Sequence, residues 1–407
     1  MLNIKKGVFK VEEILKRLKE DITVQELSNY WPEFQPYAFA IYDAENVYIY
    51  NHPLSSEGEI LYVKRDEQFN GCTTIMYEGV PTAIVDRTLY PNDDELYAIL
   101  THEIFHVHQH QQGESRSPNE ILGMTYSLKL ENMELRMKER NHLYRAVKEV
   151  DAKEKYKWIR KFIMIRESRI RLINEYVEYE NFTETIEGPA WYVELQALKK
   201  NTKVPDHLLI ESFIAKVIDP FQTFVNIRES CYYSGLCICL LLDHVVPDWK
   251  KAHFQTDKTL FEQLKDLFDI EDLQILEQVN ISRATESLYK QIQEQKQRAI
   301  HTYSSREGTH VYIKGDVKVK GFDPMNVVCH EDIRLHKTFI QIQMNDQILH
   351  INQPTIIYFK EDGKTIDKLH LIVKEVTFKG SNEFDLEGIG KVDGQGHWIN
   401  NAIWIRV

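Results

Sequence analysis

The sequence predicts an α+β protein with a β-sheet lobe, a long helical lobe and a separate all-β domain. Three observations carry this. Between residues 37 and 86, short runs such as "YAFAIYDAENVYIYN", "EILYVK", "CTTIMYEG" and "PTAIVD" have strand composition and alternation. Between residues 91 and 303, long patterns of helical period contain little Gly or Pro. From residue 308 onward, short strand-like runs alternate with Gly, Asn and Asp turns.

Taken in order, residues 8–30 read as one or two amphipathic helices. Residues 37–51 read as a hairpin with its turn at Ala44-Glu45-Asn46. Residues 79–85 suit an edge strand, because Pro81 has no N–H for a ladder on both sides. A helix follows, capped by Asn92 or Asp93, with Asp94 and Glu95 in its first turn and Gly113 at its end. Long helices are expected over 118–150, 153–180 and 182–200, then shorter ones over 206–219, 225–246, 257–269 and 283–303. Charges alternate in sign along 128–180, the pattern of a solvated helix face with i,i+4 pairs. "SSREG", residues 304–308, reads as a linker. The all-β domain then occupies 308–407 as a small sandwich or barrel, with a hairpin over 359–366 carried by Asp362-Gly363. The expected organisation is thus a helix-and-sheet lobe at 1–90, a helical lobe at 91–303 and the β-domain at 308–407.

Composition bounds the function. The chain has 407 residues, 43 % hydrophobic and 28 % charged, which fits a globular protein of two or three domains. Its formal net charge of -12 argues against a nucleic-acid partner, which would need a basic surface for phosphates. The first residues lack the apolar core of a signal peptide, and the longest apolar run, "LCICLLL" at 236–242, is too short to cross a bilayer. Five cysteines in a large chain point to a reducing compartment, so a cytoplasmic enzyme without membrane contact is expected. Cys231, Cys237 and Cys239 lie in an apolar run and read as small buried hydrophobes rather than thiolate ligands.

The chemistry concentrates in "ILTHEIFHVHQH", residues 99–110. His102 and His106 are four residues apart, so a helix sets both on one face, within reach of a single zinc ion. Glu103 flanks that face, where a carboxylate can act on a metal-activated water without ligating the metal. This is an H-E-x-x-H pattern on an expected helix. His106 and His110 share the spacing but lack an adjacent carboxylate, and His108 lies on another face. A catalytic zinc needs a third protein ligand and an open position.

Further along stands "EGPAWYVE", residues 187–194. Together with H-E-x-x-H it resembles the E-G-x-A-x-Y-V-E signature of the gluzincin metallopeptidases, best known from the M1 aminopeptidases. The resemblance covers about a tenth of the chain. It implies Glu187 as the third zinc ligand, with Gly188 and Ala190 allowing close packing on the H-E-x-x-H helix. Glu184 is the other carboxylate available for that role. The gap from His106 to Glu187 is longer than in the familiar gluzincins, and no G-x-M-E-N motif precedes it. The likeness is therefore to the clan rather than to the M1 group.

The same resemblance implies a Tyr or His oxyanion donor from a later helix. Tyr232, Tyr233 and His244 are the candidates, with Tyr233 favoured. It also implies that the strand at 79–85 holds extended substrate by main-chain hydrogen bonds. Glu184 or Glu194 could accept the outward N–H of a ligand histidine, and Gln109 returns to the ligand face of its helix. His330 and His336 fit no metal spacing and read as surface.

The expectation is a zinc peptidase acting on a peptide or protein substrate. One Zn2+ per chain would sit on His102, His106 and Glu187, with Glu103 as general base and Tyr233 as donor. The alternatives are a non-catalytic zinc-binding scaffold acting through the β-domain, and a metallohydrolase of a non-peptide amide. Cleavage position, side-chain preference and oligomeric state are not written in the sequence.

Overall fold

A computed structural model describes residues 14–55, 59–269, 278–344, 347–362, 365–378 and 382–407. The architecture is α+β, with an N-terminal sheet, a central helical region and a C-terminal all-β region. The chain divides into two packing units. The first takes the described residues of Met1–Pro118, Leu135–Thr223 and Arg228–Gln278, and the second those of Asn119–Glu134, Phe224–Ile227 and Val279–Val407.

The first unit opens with helix α1 at residues 14–21 and α2 (Val24–Tyr30). Residues 8–13 of the expected N-terminal helix lie outside the described residues. Strands β1 (Phe39–Tyr42), β2 (Asn46–Tyr50), β3 (Leu61–Lys64), β4 (Thr73–Tyr77) and β5 (Val80–Asp86) form a sheet in the order β3-β2-β1-β5-β4. The β1–β2 turn falls at residues 43–45, where the Asp43 side chain accepts from the amides of Glu45 and Asn46. Between β4 and β5, Glu78 and Gly79 both have positive φ, at 45° and 79°. That is the backbone of a tight two-residue hairpin turn, which glycine favours.

The edge strand differs from expectation. It is β4, antiparallel to β5, while β5 lies inside the sheet between β1 and β4. Pro81 is accommodated because β1 pairs with β5 only from Ala83 onward, so Pro81 lies beyond the end of that ladder.

Helix α3 (Asp93–Gln111) follows β5 and packs on β5 and β4. The Asn92 side chain caps it by accepting from the Asp94 amide, and three acidic residues complement its first turn. Leu96, Leu100, Ile104 and Phe105 are buried, so the helix is anchored through its apolar face.

The helices that follow in the chain include α4 (Glu120–Met124), α5 (Leu130–Lys148), α6 (Ala152–Asn201), α7 (Asp206–Ile214), α8 (Ile227–Val245), α9 (Leu260–Lys265) and α10 (Arg283–Ser304). The two helices expected over 153–200 form α6 as two segments that meet at a kink, but the break is at Ile173, whose φ and ψ are -143° and 27°, rather than near residue 181. The charges along 128–180 divide between a solvated face, with Glu131, Lys138, Lys153 and Lys157 exposed, and a buried one. Arg136, Glu139, Arg140, Arg166, Arg169, Glu180 and Glu184 are all buried. Arg166 donates to Glu139 over 2.7 Å and to both oxygens of Glu184, while Arg169 pairs with Glu139 over 2.6 Å and with Glu180. Arg136 donates to Glu180 over 3.0 Å, and Arg140 to the Ser230 carbonyl over 2.8 Å. Buried charge survives where each group is paired and hydrogen-bonded, which the i,i+4 pattern does not reveal.

The cysteines of α8 are buried free thiols, and burial pushes Cys231 up to about 12. No single helix among the described residues is long and apolar enough to cross a membrane.

In the second unit, a seven-stranded sheet centres on Thr309–Lys314, Ile366–Val373 and Thr355–Phe359, flanked by two three-stranded sheets. The strands flanking the 359–366 hairpin pair antiparallel, and Gly363 of its turn lies outside the described residues. Helix α10 belongs to this unit rather than to the helical lobe, because Ile300 and Tyr303 are buried with Leu335 and Ile356 of the sheet. Glu134 accepts from the Ser282 amide and hydroxyl at its N-terminus. His330 is half-buried and accompanied by Gln293, and His336 is buried, so neither is the exposed surface histidine expected.

Candidate metal centre

Two helices of the first unit, α3 and α6, pack along each other and each presents an i, i+4, i+7 row. On α3 the row is His102, His106 and Gln109; on α6 it is Glu187, Trp191 and Glu194. Nε2 of His106 stands 3.1 Å from Nε2 of His102 and 3.6 Å from Oε2 of Glu187. All three ligand atoms lie within 4.8 Å of one another. Ligands about 2.0–2.1 Å from a tetrahedral zinc stand about 3.3–3.4 Å apart, so the spacing fits one ion. Among the described residues, no fourth His, Cys, Asp or Glu joins the group.

The chain also orients the imidazole rings. Nδ1 of His106 donates to Oε1 of Gln109 over 2.7 Å, and the Gln109 amide is held in that orientation by donating to the Ile186 carbonyl, also at 2.7 Å. Nδ1 of His102 faces Oε2 of Glu194 at 2.9 Å, an ion-pair contact without the alignment of a hydrogen bond. With Nδ1 of His106 turned to Gln109 and Nδ1 of His102 turned to Glu194, the two Nε2 atoms face the cluster.

Electrostatics within the cluster are strong. Burial works against a charge on His106, yet the hydrogen bond and charge of Glu187 raise it to about 9. Burial opposes ionisation of Glu187 as well, but His106 and then Arg228 hold it down at about 2. Without an ion, His106 serves as the counter-charge that a metal would otherwise supply. Glu103 is buried, and that burial raises its pKa against the pull of His102 and His106.

The "EGPAWYVE" segment distributes its side chains over two faces. Beside the Glu187 row, Tyr192 donates to Asp243 over 2.5 Å and so ties α6 to α8. Gly188 does not serve contact with α3: a β-carbon there would stand 2.6 Å from the Gly235 carbonyl carbon of α8. Ser234-Gly235 thus permits the close approach that its small residues suggest. Glu184 does not face the cluster. Its carboxylate is held by Arg166 and by the Ser234 hydroxyl at 2.5 Å, which leaves Glu187 and Glu194 at the site.

The other sequence candidates separate clearly. The Tyr233 hydroxyl is turned to Glu229, at 2.8 Å, and to Lys216, at 3.1 Å. Tyr232 instead accepts from Nε of Arg228 over 2.9 Å, and Nη2 of the same guanidinium donates to Oε1 of Glu187 over 3.0 Å. Burial and the nearby Glu187 charge raise the Tyr232 pKa, so it is a neutral phenol at ordinary pH. His110 and His244 are exposed. His108 is buried among Phe34, Phe105 and Phe254 with its Nδ1 3.3 Å from the Tyr37 hydroxyl, and burial lowers it to about 4. Sequence reading missed Arg228 and Trp191. Trp191 meets the His102 ring edge-on at 5.9 Å and continues into Phe213 and Tyr233. A basic residue one turn before Tyr232 was the available signal for Arg228.

Comparison with protein-family models, curated proteins and solved structures returned no match.

Proposed function

We propose that the first unit is a zinc-dependent peptidase of gluzincin type. The observation that carries this reading is the convergence of His102, His106 and Glu187 beside a buried Glu103. Nε2 of each histidine and Oε2 of Glu187 would hold the ion. Two imidazoles and one carboxylate suit zinc, and three protein ligands are the number a catalytic site uses. Zinc, when bound, supplies Lewis acidity that acidifies a water and polarises a carbonyl.

The chain's own residues supply the rest. Glu103 follows His102 directly and is the carboxylate available to take a proton and return it to the leaving amine. Tyr232, held by Arg228 beside Glu187, is the hydroxyl assigned to a developing oxyanion, because Tyr233 is turned to Glu229 and Lys216. Among the described residues β4, which packs on α3, is an edge strand of the sheet, a place where an extended peptide could add by main-chain hydrogen bonds.

The test is cleavage of a mixed peptide library by wild type and Glu103→Gln, each checked for bound zinc. The reading expects wild-type cleavage and a loss on the order of 10²-fold or more in Glu103→Gln with zinc retained. Equal cleavage by both proteins would remove Glu103 from the mechanism and the reading with it.

A further inference from the structure

Glu187 has two carboxylate oxygens, and they face different partners. Oε2 is the oxygen turned to Nε2 of His106, at 3.6 Å, while Oε1 receives Nη2 of Arg228, at 3.0 Å. We infer that Arg228 is a positioning residue that reserves one oxygen of Glu187, so that the carboxylate ligates a metal through Oε2 alone. This rests on the reading of His102, His106 and Glu187 as a metal site.

The geometry gives the inference its content. Arg228 and Tyr232 are one turn apart on α8, and the guanidinium spans from the Tyr232 hydroxyl to Glu187 through two N–H groups of one rigid plane. A planar fork held at both ends fixes the direction of its donors, which an ammonium cannot do. The pair is largely shielded, with side-chain exposures of 18 % for Arg228 and 10 % for Glu187.

The consequence is chemical. A carboxylate free to turn can ligate through both oxygens. In a catalytic site, where water fills the position left by three protein ligands, that second oxygen would raise the coordination number from four to five and crowd the place substrate needs. A donor fixed on Oε1 opposes that turn. Arg228 therefore acts on the coordination number rather than on the substrate.

The test uses the full chain with cobalt(II) replacing zinc, because visible absorption of cobalt(II) weakens as coordination rises from four to five. Wild type, Arg228→Gln and Arg228→Lys are loaded with cobalt, and their folding is checked by circular dichroism. In Arg228→Gln the absorption is expected to fall by about half or more at equal bound cobalt, as geometry changes. Arg228→Lys, which keeps the charge on a single donor nitrogen without the fork, is expected to recover part of it. In peptide cleavage, kcat should fall about tenfold or more in Arg228→Gln with KM little changed. A cobalt spectrum unaltered in both variants would overturn the inference while leaving the metal site standing, and so would a change in KM alone. A wild-type chain that takes up no cobalt would remove the metal site itself.

Discussion

Nδ1 of His106 and Oε1 of Gln109 lie 2.7 Å apart, and this one contact sets which nitrogen of His106 faces His102 and Glu187. The same amide donates to the Ile186 carbonyl, one residue before Glu187, so it ties the two ligand helices together as it orients the ring. Gln109→Leu removes both bonds. Metal affinity is expected to fall about 10–100-fold, as for other partners of ligating histidines. Gln109→Glu keeps the acceptor and loses the donor, so its loss should be smaller. Competition with a graded chelator reads both, and equal affinity in Gln109→Leu and wild type would refute the role.

The two tyrosines of α8 make opposite predictions. Tyr232 is joined to Glu187 through Arg228, whereas Tyr233 is turned to Glu229 and Lys216. Tyr232→Phe should lower kcat on peptide by about 10²–10³-fold, the scale for losing an oxyanion donor. Tyr233→Phe should leave kcat within a few-fold. The reverse ranking would return Tyr233 to the site.

Where α6 crosses α8, there is no room for a side chain. A β-carbon on Gly188 would meet the Gly235 backbone at 2.6 Å, and one on Gly235 would meet the Glu184 carbonyl oxygen at 2.7 Å. Backbone cannot swing aside as a side chain can. Gly188→Ala and Gly235→Ala should each cost about 1–3 kcal/mol in urea unfolding, the range for overpacking. The double variant should cost less than the sum, since one separation of the helices relieves both clashes. Full stability in either single variant would show that the helices stand farther apart.

The buried charges predict how the protein responds to acid. Burial opposes ionisation of Glu139 and Glu180, but Arg166 and Arg169 around the first, and Arg136 and Arg169 around the second, hold both below the ordinary carboxylate value of 4.5. The folded state thus binds these protons more weakly than the unfolded chain. Their contribution is fully present above pH 4.5 and is lost as pH falls below it. The urea midpoint should drop steeply between pH 5 and pH 3. Arg166→Met should remove about 3–5 kcal/mol at neutral pH, because it strands Glu139 and Glu184 without their shared partner. A midpoint that stays flat through this range would contradict the pairing.

Legibility in the sequence followed the reach of local rules. The α+β layout, the cap of α3 by Asn92 and the shared face of His102 and His106 follow from periodicity and capping. Glu187 was accessible only through the motif around it, since it lies 81 residues beyond His106 and no local rule joins them. What stayed hidden depends on three-dimensional pairing. The charges of α5 and α6 have the spacing of a solvated face, and only their partners on other turns and helices make burial tolerable. Pro81 marks a gap in one ladder, which an edge strand and the overhang of an inner strand supply equally. Gly188 signals a close approach without naming Gly235 as the neighbour. Arg228 carries no metal-ligand signature, because its role is to hold a carboxylate and not to ligate.

The central claim is that His102, His106 and Glu187 hold one metal ion. Elemental analysis of purified wild type and Glu187→Ala, both equilibrated with zinc and then freed of excess, tests it directly. The account predicts about one zinc per chain in wild type and its loss in Glu187→Ala, with unchanged circular dichroism. Wild type without zinc, or a variant that retains it in full, would contradict the account.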